Sequence, residues 1–373
     1  MTQNNTRLVP LKDYIIQCDE RNSENKYNID DVRGISVNKD IIATKANMEG
    51  VSLTPYKLFK PNEFCFVTVT SRNSNKITIS INPDSDTYIV SSSYEVFKVR
   101  DERILLPEFL YLIFNRPEFD RYARFNSWGS ARETFSFPEM ERVIIPLPSI
   151  DEQKRIVETW KRLRMVKEQN EAIAEPLFLL CQSYIQNLWK THPHEEIGRY
   201  ITRIDKRNTD NSVKVVKSVS VKKEFNDTNA KVDKNNLGSY KIVEDGQISF
   251  VQTTGNEKCL CAAVNHFGYP IVVTSVNEVF ETDSSHLLAD YLHIIFRRTE
   301  TDRYARFNSW GSARETFTWE DMRRFSIPIP SIEKQQAIVD IYTCAKEAKR
   351  LAEEADKLSR ELCPALIQKV IHA

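Results

Sequence analysis

From Ile156 the apolar residues fall at Ile156, Trp160, Leu163, Val166, Ile173, Leu177, Leu180, Tyr184 and Leu188, in steps of three, four or seven. A second run falls at Ile338, Ile341, Ala345, Ala348, Leu351, Ala355, Leu358, Leu362 and Leu366. A narrow apolar stripe at this spacing predicts two long amphipathic helices, each offering the other a partner face. At 1.5 Å per residue, a helix of about forty residues spans about 60 Å. Ser149, with Glu152 three positions on, predicts a capping box at the first helix start. The second helix has Ser331 but Lys334 where the box needs an acid, so its box is incomplete. Pro176 and Pro364 fall inside the two patterns and predict kinks.

Ahead of each helix the period changes. FCFVTVTSRNSNKITISI and QISFVQTTGNEKCLCAAV read as strand, polar loop, strand, and YIVSSSYEVFKV and PIVVTSVNEVF as further strands. LPEFLYLIFNRPEFDRYARF then predicts a helical stretch broken at Pro117, whereas LLADYLHIIFRRTETDRYARF has no counterpart to break it. The expected fold class is α+β, with two mixed bodies and two long helices.

The two halves are copies. DRYARFNSWGSARETF, Asp120 to Phe135, recurs letter for letter from Asp302 to Phe317. Downstream, MERVIIPLPSIDEQKRIV answers MRRFSIPIPSIEKQQAIV; upstream, YKLFKPNEFCFV answers YKIVEDGQISFV, EVF at Glu95 answers EVF at Glu278, and DERN at Asp19 answers DKRN at Asp205. The organisation read from this repeat is a first body over 1–148, a helix over 149–190, a second body over 191–330 and a helix over 331–373.

Composition narrows the function classes. A chain of 373 residues exceeds one ordinary core, and 41% hydrophobic with 28% charged residues is ordinary for a soluble protein. MTQNNTRLVPLKDY has no apolar signal core and no run of eighteen apolar residues suggests a membrane span, so a cytoplasmic location is expected. Seven cysteines read as reduced thiols; Cys259 and Cys261 have no second ligand pair, so no metal is expected. With nine glycines, no G-x-G pair and no G-x-x-x-x-G-K-[ST] loop, neither a dinucleotide site nor a P-loop is visible. Asn82-Pro83-Asp84 is not the Asn/Asp-Pro-Pro-aromatic motif of amino-methyltransferases, and Glu95 and Lys98 stand one residue too far apart for a nuclease Glu-x-Lys. The chain therefore reads as non-catalytic. Its net charge of zero is silent about nucleic acid, but each sixteen-residue block carries more arginine than acid with aromatics interleaved.

The order body, long helix, body, long helix, with P-L-P-S-I-D-E-Q-K-R-I at the first junction, resembles the specificity (S) subunits of type I restriction-modification systems. The resemblance covers essentially the whole chain. It implies that each body is a target-recognition domain reading one half of a bipartite, asymmetric double-stranded DNA target. It also implies that the helices pair antiparallel as a spacer, in a pseudo-twofold repeat, and dock two methyltransferase (M) subunits. Restriction (R) subunits would join in the full complex. S-adenosylmethionine, ATP and Mg are then expected on the partners and no cofactor in this chain. A partner that fuses methylation and cleavage in one chain fits equally, and a scaffold with degenerate bodies is the other reading left open.

If the bodies read different half-sites, base readout belongs where the copies differ. Arginine takes guanine bidentately and asparagine takes adenine, so the candidates are Arg72, Asn73, Asn75 and Lys76 in the first body, answered by Gln252, Thr253, Asn256 and Lys258. A second polar stretch is Arg21, Asn22, Asn25 and Lys26, answered by Arg207, Asn208 and Asn211. Residues identical in both bodies position without specifying; here the candidates are Arg121, Arg124 and Arg132 with Arg303, Arg306 and Arg314. Gly129 and Gly311 suit a tight turn, and Trp128 and Trp310 are expected to pack against the helix root. Recombination at the DNA level would also leave an identical block, whether or not the block acts.

Overall fold

The computed structural model describes residues 6–44, 46–70, 76–130, 132–228, 231–253, 259–311 and 315–372. It divides into two compact units, Met1–Gln169 with Leu351–Ala373, and Asn170–Arg350.

In the first unit, Arg7–Pro10 pairs antiparallel with Ile144–Leu147, the strand that runs into the first long helix. The two ends of the body are thereby bonded together. Its central sheet is four-stranded and antiparallel, in the order Ile15–Cys18, Tyr94–Val99, Phe64–Val67, Ile79–Ile81. Phe64 lies opposite Ile81 on one side and Phe97 on the other. The Phe64 and Phe97 rings stack at 5.0 Å, and Phe114, from the helix Pro107–Phe114, meets both edge-on. Offset and edge-on pairs of this kind satisfy the ring quadrupoles while burying large areas. Ile156 and Val157 from the start of the first long helix, and Ile367 from the end of the second, complete this core.

The second unit repeats the plan. His194–Glu196 pairs with Ser326–Pro328, and the sheet order is Ile201–Ile204, Asn277–Thr282, Ile248–Val251, Ala262–Val264. Phe250, Phe280, Tyr291, Phe296 and Phe317 fill its core with Cys181, Ile185 and Leu188 of the first long helix and Ile338 and Val339 of the second.

The long helices are Ile150–Thr191 and Ile332–His372, and both run through their internal prolines. They are antiparallel within the second unit, where Phe178 meets Tyr342 at 5.5 Å and Cys181 lies at the Ile338 carbonyl. Within the first unit, Lys167 pairs with Asp356 at 2.9 Å. The buried line follows the predicted stripe at Ile156 and Leu188 on the first helix and at Ile338, Ala345, Ala348 and Ala355 on the second, and departs from it elsewhere. Ala174, Cys181, Ile185 and Leu188 are buried on the first helix and Ile338, Ala345, Ala348, Ala352 and Ala355 on the second, while Ile173, Leu180, Tyr184, Leu358 and Leu362 are exposed. Small side chains let two backbones approach closely; on the first helix Ala174, Cys181 and Ile185 turn in while Ile173, Leu180 and Tyr184, one position before each, turn out.

Two further expectations are corrected. The second helical stretch is broken like the first, into Ala289–Phe296 and Thr299–Phe307. No proline makes this break: Arg298 is extended (φ −77, ψ 144), its guanidinium lies 4.3 Å from the centre of the Trp189 ring, and the Thr301 hydroxyl donates to the Ile295 carbonyl at 2.7 Å. The capping box at the first long helix forms by half. Ser149 accepts the Glu152 amide at 3.3 Å, but the Glu152 carboxylate turns to Arg155, an ion partner one helical turn on. At the second helix, a bond from Ser331 holds the Glu333 carboxyl below its ordinary range. What the junctions share is a buried glutamine. Gln153 accepts the Leu106 amide and donates to the carbonyls of Ile104 and Pro148; Gln335 does the same with Leu288, His286 and Pro330.

Candidate nucleic-acid interface

The strands Phe64–Val67 and Ile79–Ile81 are bonded neighbours, as are Ile248–Val251 and Ala262–Val264. The divergent segments therefore connect paired strands, as expected. Arg72, Asn73, Asn75, Asn256, Lys258 and Arg314 lie outside the described residues. Lys76, at the end of the first loop, is exposed. Thr253 is half-buried and bridges Thr316.

Each loop is held at its root by an ion pair with a buried lysine; the aspartate is buried too in the first unit and partly exposed in the second. Lys39 sits in the turn between Arg33–Ile35 and Ile41–Ala43, at φ 68, and its ammonium lies 2.8 Å from Asp120, the first residue of the repeated block. The same Asp120 carboxylate accepts the amide of Ile77, where the loop rejoins the sheet. In the second unit, Lys223, at φ 62, lies 2.6 Å from Asp302, which accepts the amide of Leu260. Burial pushes the Lys39 ammonium below its ordinary range, against the opposing pull of Asp120. Breaking one partner out of such a buried pair costs about 3–5 kcal/mol. This clamp was missed in the sequence, yet it has a signal there: Ser36-Val37-Asn38-Lys39-Asp40 answers Ser220-Val221-Lys222-Lys223-Glu224.

A second charged cluster occupies equivalent sheet positions. Glu95 accepts from Gln17 at 3.0 Å and pairs with Lys57 at 3.0 Å, which also reaches Asp19 at 3.3 Å. Glu278 accepts two bonds from Arg203, at 2.8 and 2.6 Å, pairs with Lys241 at 3.2 Å and accepts from the Gln252 amide. Burial works to raise the Glu278 carboxyl, but the Arg203 bonds and the Lys241 charge outweigh it and leave it below its ordinary range. Glutamate and lysine are kept in both copies while their neighbours change, Gln17 to Arg203 and Thr68 to Gln252. The Gln252 side chain is thus engaged with Glu278 in this structure.

Of the polar stretch near Arg21, the asparagines are occupied inside the fold. Asn22 is buried and bonds the backbone of Tyr27 and Leu53; Asn208 is buried and bonds both backbone groups of Val213. Asn211 donates to the carbonyls of Lys234 and Asn235. Arg21 and Arg207 each pair with an aspartate, Asp19 and Asp205, and each donates to a backbone carbonyl. Short amides serve the turn that contains them, which is why an Asn-rich stretch reads alike for a turn and for an interface. Asn25 and Lys26 are exposed.

The repeated block folds as a helix followed by a backbone-paired turn, and the described residues beside that turn, Gly129, Ser130, Arg132 and Gly311, are exposed. Trp128 and Thr134 exchange both backbone bonds, and Gly129, at φ 137, admits no side chain because a Cβ would overlap the Arg132 carbonyl oxygen. Gly311 repeats the conformation at φ 141. Contrary to the expected packing on the helix root, Trp128 is 62% and Trp310 70% exposed, and Phe125 and Phe307 are 79% and 81% exposed. The hairpin turns these rings outward, and Phe135 and Phe317 are the aromatics that enter the cores. Arg121, Arg132, Arg303 and Arg306 are exposed, and Arg124 is half-exposed and paired with Glu133. The apex is bonded to the loop root: Thr70 donates to the Glu133 carbonyl, Phe135 to the Thr68 carbonyl and Phe317 to the Gln252 carbonyl.

Residues 20–177 and 187–347 each match the model of the type I restriction modification DNA specificity domain. The chain belongs to that family. Each specificity domain so matched contains one complete set of parts: the lysine–aspartate clamp, the divergent loop, the aromatic apex and the buried junction glutamine. The fold is similar to that of the type I restriction-modification S subunit from M. genitalium, with 12% identity over 99% of this chain and 97% of that one and a TM-score of 0.64. The HsdS subunit from Thermoanaerobacter tengcongensis matches over 98% of this chain and 96% of its own, at 16% identity and a TM-score of 0.40. No curated protein matches the chain. Among the described residues, no helix is long and apolar enough to cross a membrane.

Proposed function

We propose that the chain is the DNA-reading subunit of a type I restriction-modification complex, each specificity domain reading one half of a split, asymmetric target. The observation that carries this reading is the contrast at each loop root. An identical clamp and an identical apex hold a loop whose sequence differs between the copies, SRNSNK in one and TTGNEK in the other. A constant mount with a variable reader is what two half-sites on one continuous duplex call for. The readers are Arg72, Asn73, Asn75 and Lys76 in one domain and Thr253, Asn256 and Lys258 in the other. Gln252 joins them only by leaving Glu278.

Chemistry belongs to the partners in this reading. Methyltransferase subunits supply S-adenosylmethionine and act on an adenine taken out of the stack, and restriction subunits supply ATP- and Mg-dependent cleavage. The long helices offer the partners a surface, since Met165, Val166, Ile173, Leu179, Leu180 and Tyr184 are exposed on the first. Exposed apolar residues in such number mark an interaction face. The test is methylome sequencing of a host expressing the chain with its neighbouring methyltransferase, and of one expressing the methyltransferase alone. The expected result is a split adenine-methylated motif that vanishes without the chain. An unchanged methylome, with the partner expressed and bound, would overturn the reading in favour of a scaffold.

A further inference from the structure

The geometry points to the apex of each specificity domain, Phe125 and Trp128 with Arg121 in one and Phe307 and Trp310 with Arg303 in the other, as a shared contact to the sugar-phosphate backbone beside the half-site. This inference rests on the DNA-reading role proposed above and adds to it the part of the duplex that is touched without being read. Three observations carry it.

First, the rings are not needed by the fold. The block's core anchors are Ala123 and Phe135, or Ala305 and Phe317, all fully buried, while the two largest rings of each tip stand in solvent. A folded chain has no reason of its own to expose a tryptophan and a phenylalanine three positions apart, twice. Second, the apex and the loop root form one bonded piece. The Thr70 amide donates to the Glu133 carbonyl at 3.0 Å, and Val69 and Thr253 bridge Thr134 and Thr316. The strand ends from which the divergent loop departs are the ones bonded to the apex. Third, an identical surface cannot tell two half-sites apart, so it suits the component of DNA that is the same at both. Arginine side chains such as Arg121, 71% exposed and held by a surface ion pair with Glu118 at 3.3 Å, suit phosphates, and flat aromatic faces pack on deoxyribose without hydrogen-bond readout. Two identical methyltransferase subunits would also need identical surfaces. They give no reason for those surfaces to be bonded to the roots of the divergent loops.

The test uses the assembled complex of the chain with its methyltransferase and a labelled duplex of mixed sequence, read by fluorescence anisotropy across a salt series. W128A combined with W310A is expected to weaken binding on the order of tenfold. R121A combined with R303A is expected to lower the slope of log affinity against log salt by about two, one for each arginine–phosphate pair removed. Both variants should still co-elute with the methyltransferase before DNA is added, and keep the wild-type circular dichroism spectrum. Unchanged affinity and slope would overturn the inference. So would loss of co-elution, which would make the apex a methyltransferase docking site. Failure of the wild-type complex to bind any duplex would instead sink the DNA-reading role itself.

Discussion

Tyr111 and His293 occupy the same position in the two specificity domains and perform the same task. The Tyr111 hydroxyl donates to the Lys39 carbonyl at 3.3 Å, and His293 Nε2 lies 2.8 Å from the Lys223 carbonyl. Each steadies the turn that carries the clamp lysine. Of the two, only the His293 ring can take up a proton and become positively charged. Burial pushes the His293 imidazole down to about 4, from an ordinary 6.5. In the unfolded chain the ring takes up a proton below 6.5 that the folded protein refuses until about 4. The stability this neutral ring contributes is therefore complete above 6.5 and is lost as pH falls through that window, by up to about 3 kcal/mol. His293→Gln keeps an N–H donor and cannot become charged. Thermal melts between pH 7 and pH 4 should show a flatter decline for this variant than for wild type, and parallel declines would refute the assignment.

At the scale of elements, the junction turns on Gln153 and Gln335, each spending its side chain on three backbone groups that no secondary structure would satisfy. The acid before Gln153 caps nothing, so Lys334 in the second copy costs the junction little. The repeat of P-x-P-S-I made the junction legible; the glutamine's task required knowing that residues about fifty positions earlier lie beside it. The helices were legible from periodicity, and so was the seam of the second at Ile338, Ala345, Ala348 and Ala355; on the first helix the buried positions at Ala174, Cys181 and Ile185 were not. Under the proposed function the helices set the spacing between half-sites. Adding one turn, about four residues, to both helices at matched positions should change the gap of the methylated motif and leave both half-sites as they were. Altered half-sites in the methylome would count against that role.

At the scale of the molecule, the first compact unit is built from two separate stretches of chain, Met1–Gln169 and Leu351–Ala373, whereas the second is the continuous stretch Asn170–Arg350. The first takes Leu366 and Ile367 from the far end of the sequence into its core, and Arg116 bonds Gln368 at 2.7 Å. Exchanging the residues before Asp120 for those of another specificity subunit should change one half-site only, as read by methylome sequencing. Such a chimaera should also melt lower, by about 1–3 kcal/mol of mismatched packing, unless residues 351–373 come from the same donor. Equal melting of chimaeras with and without the matched terminal segment would show that the shared core does not couple them.

The sequence by itself determined two tandem bodies, the strand–loop–strand at each divergent loop and the two long helices, because repeats and hydrophobic periods are properties of neighbouring residues. It also pointed to the family, through the order of those parts. Only the tertiary structure decided which residues in the middle of the first helix are buried, the proline-free break at Arg298, the outward turn of Trp128 and Trp310, and the pairing of Lys39 with Asp120 and Lys223 with Asp302. Each of these depends on which distant residues meet and on how closely two backbones can approach. An exposed aromatic and a buried lysine are spelled no differently from their ordinary counterparts; the partner that each one finds, or lacks, is what gives it a role.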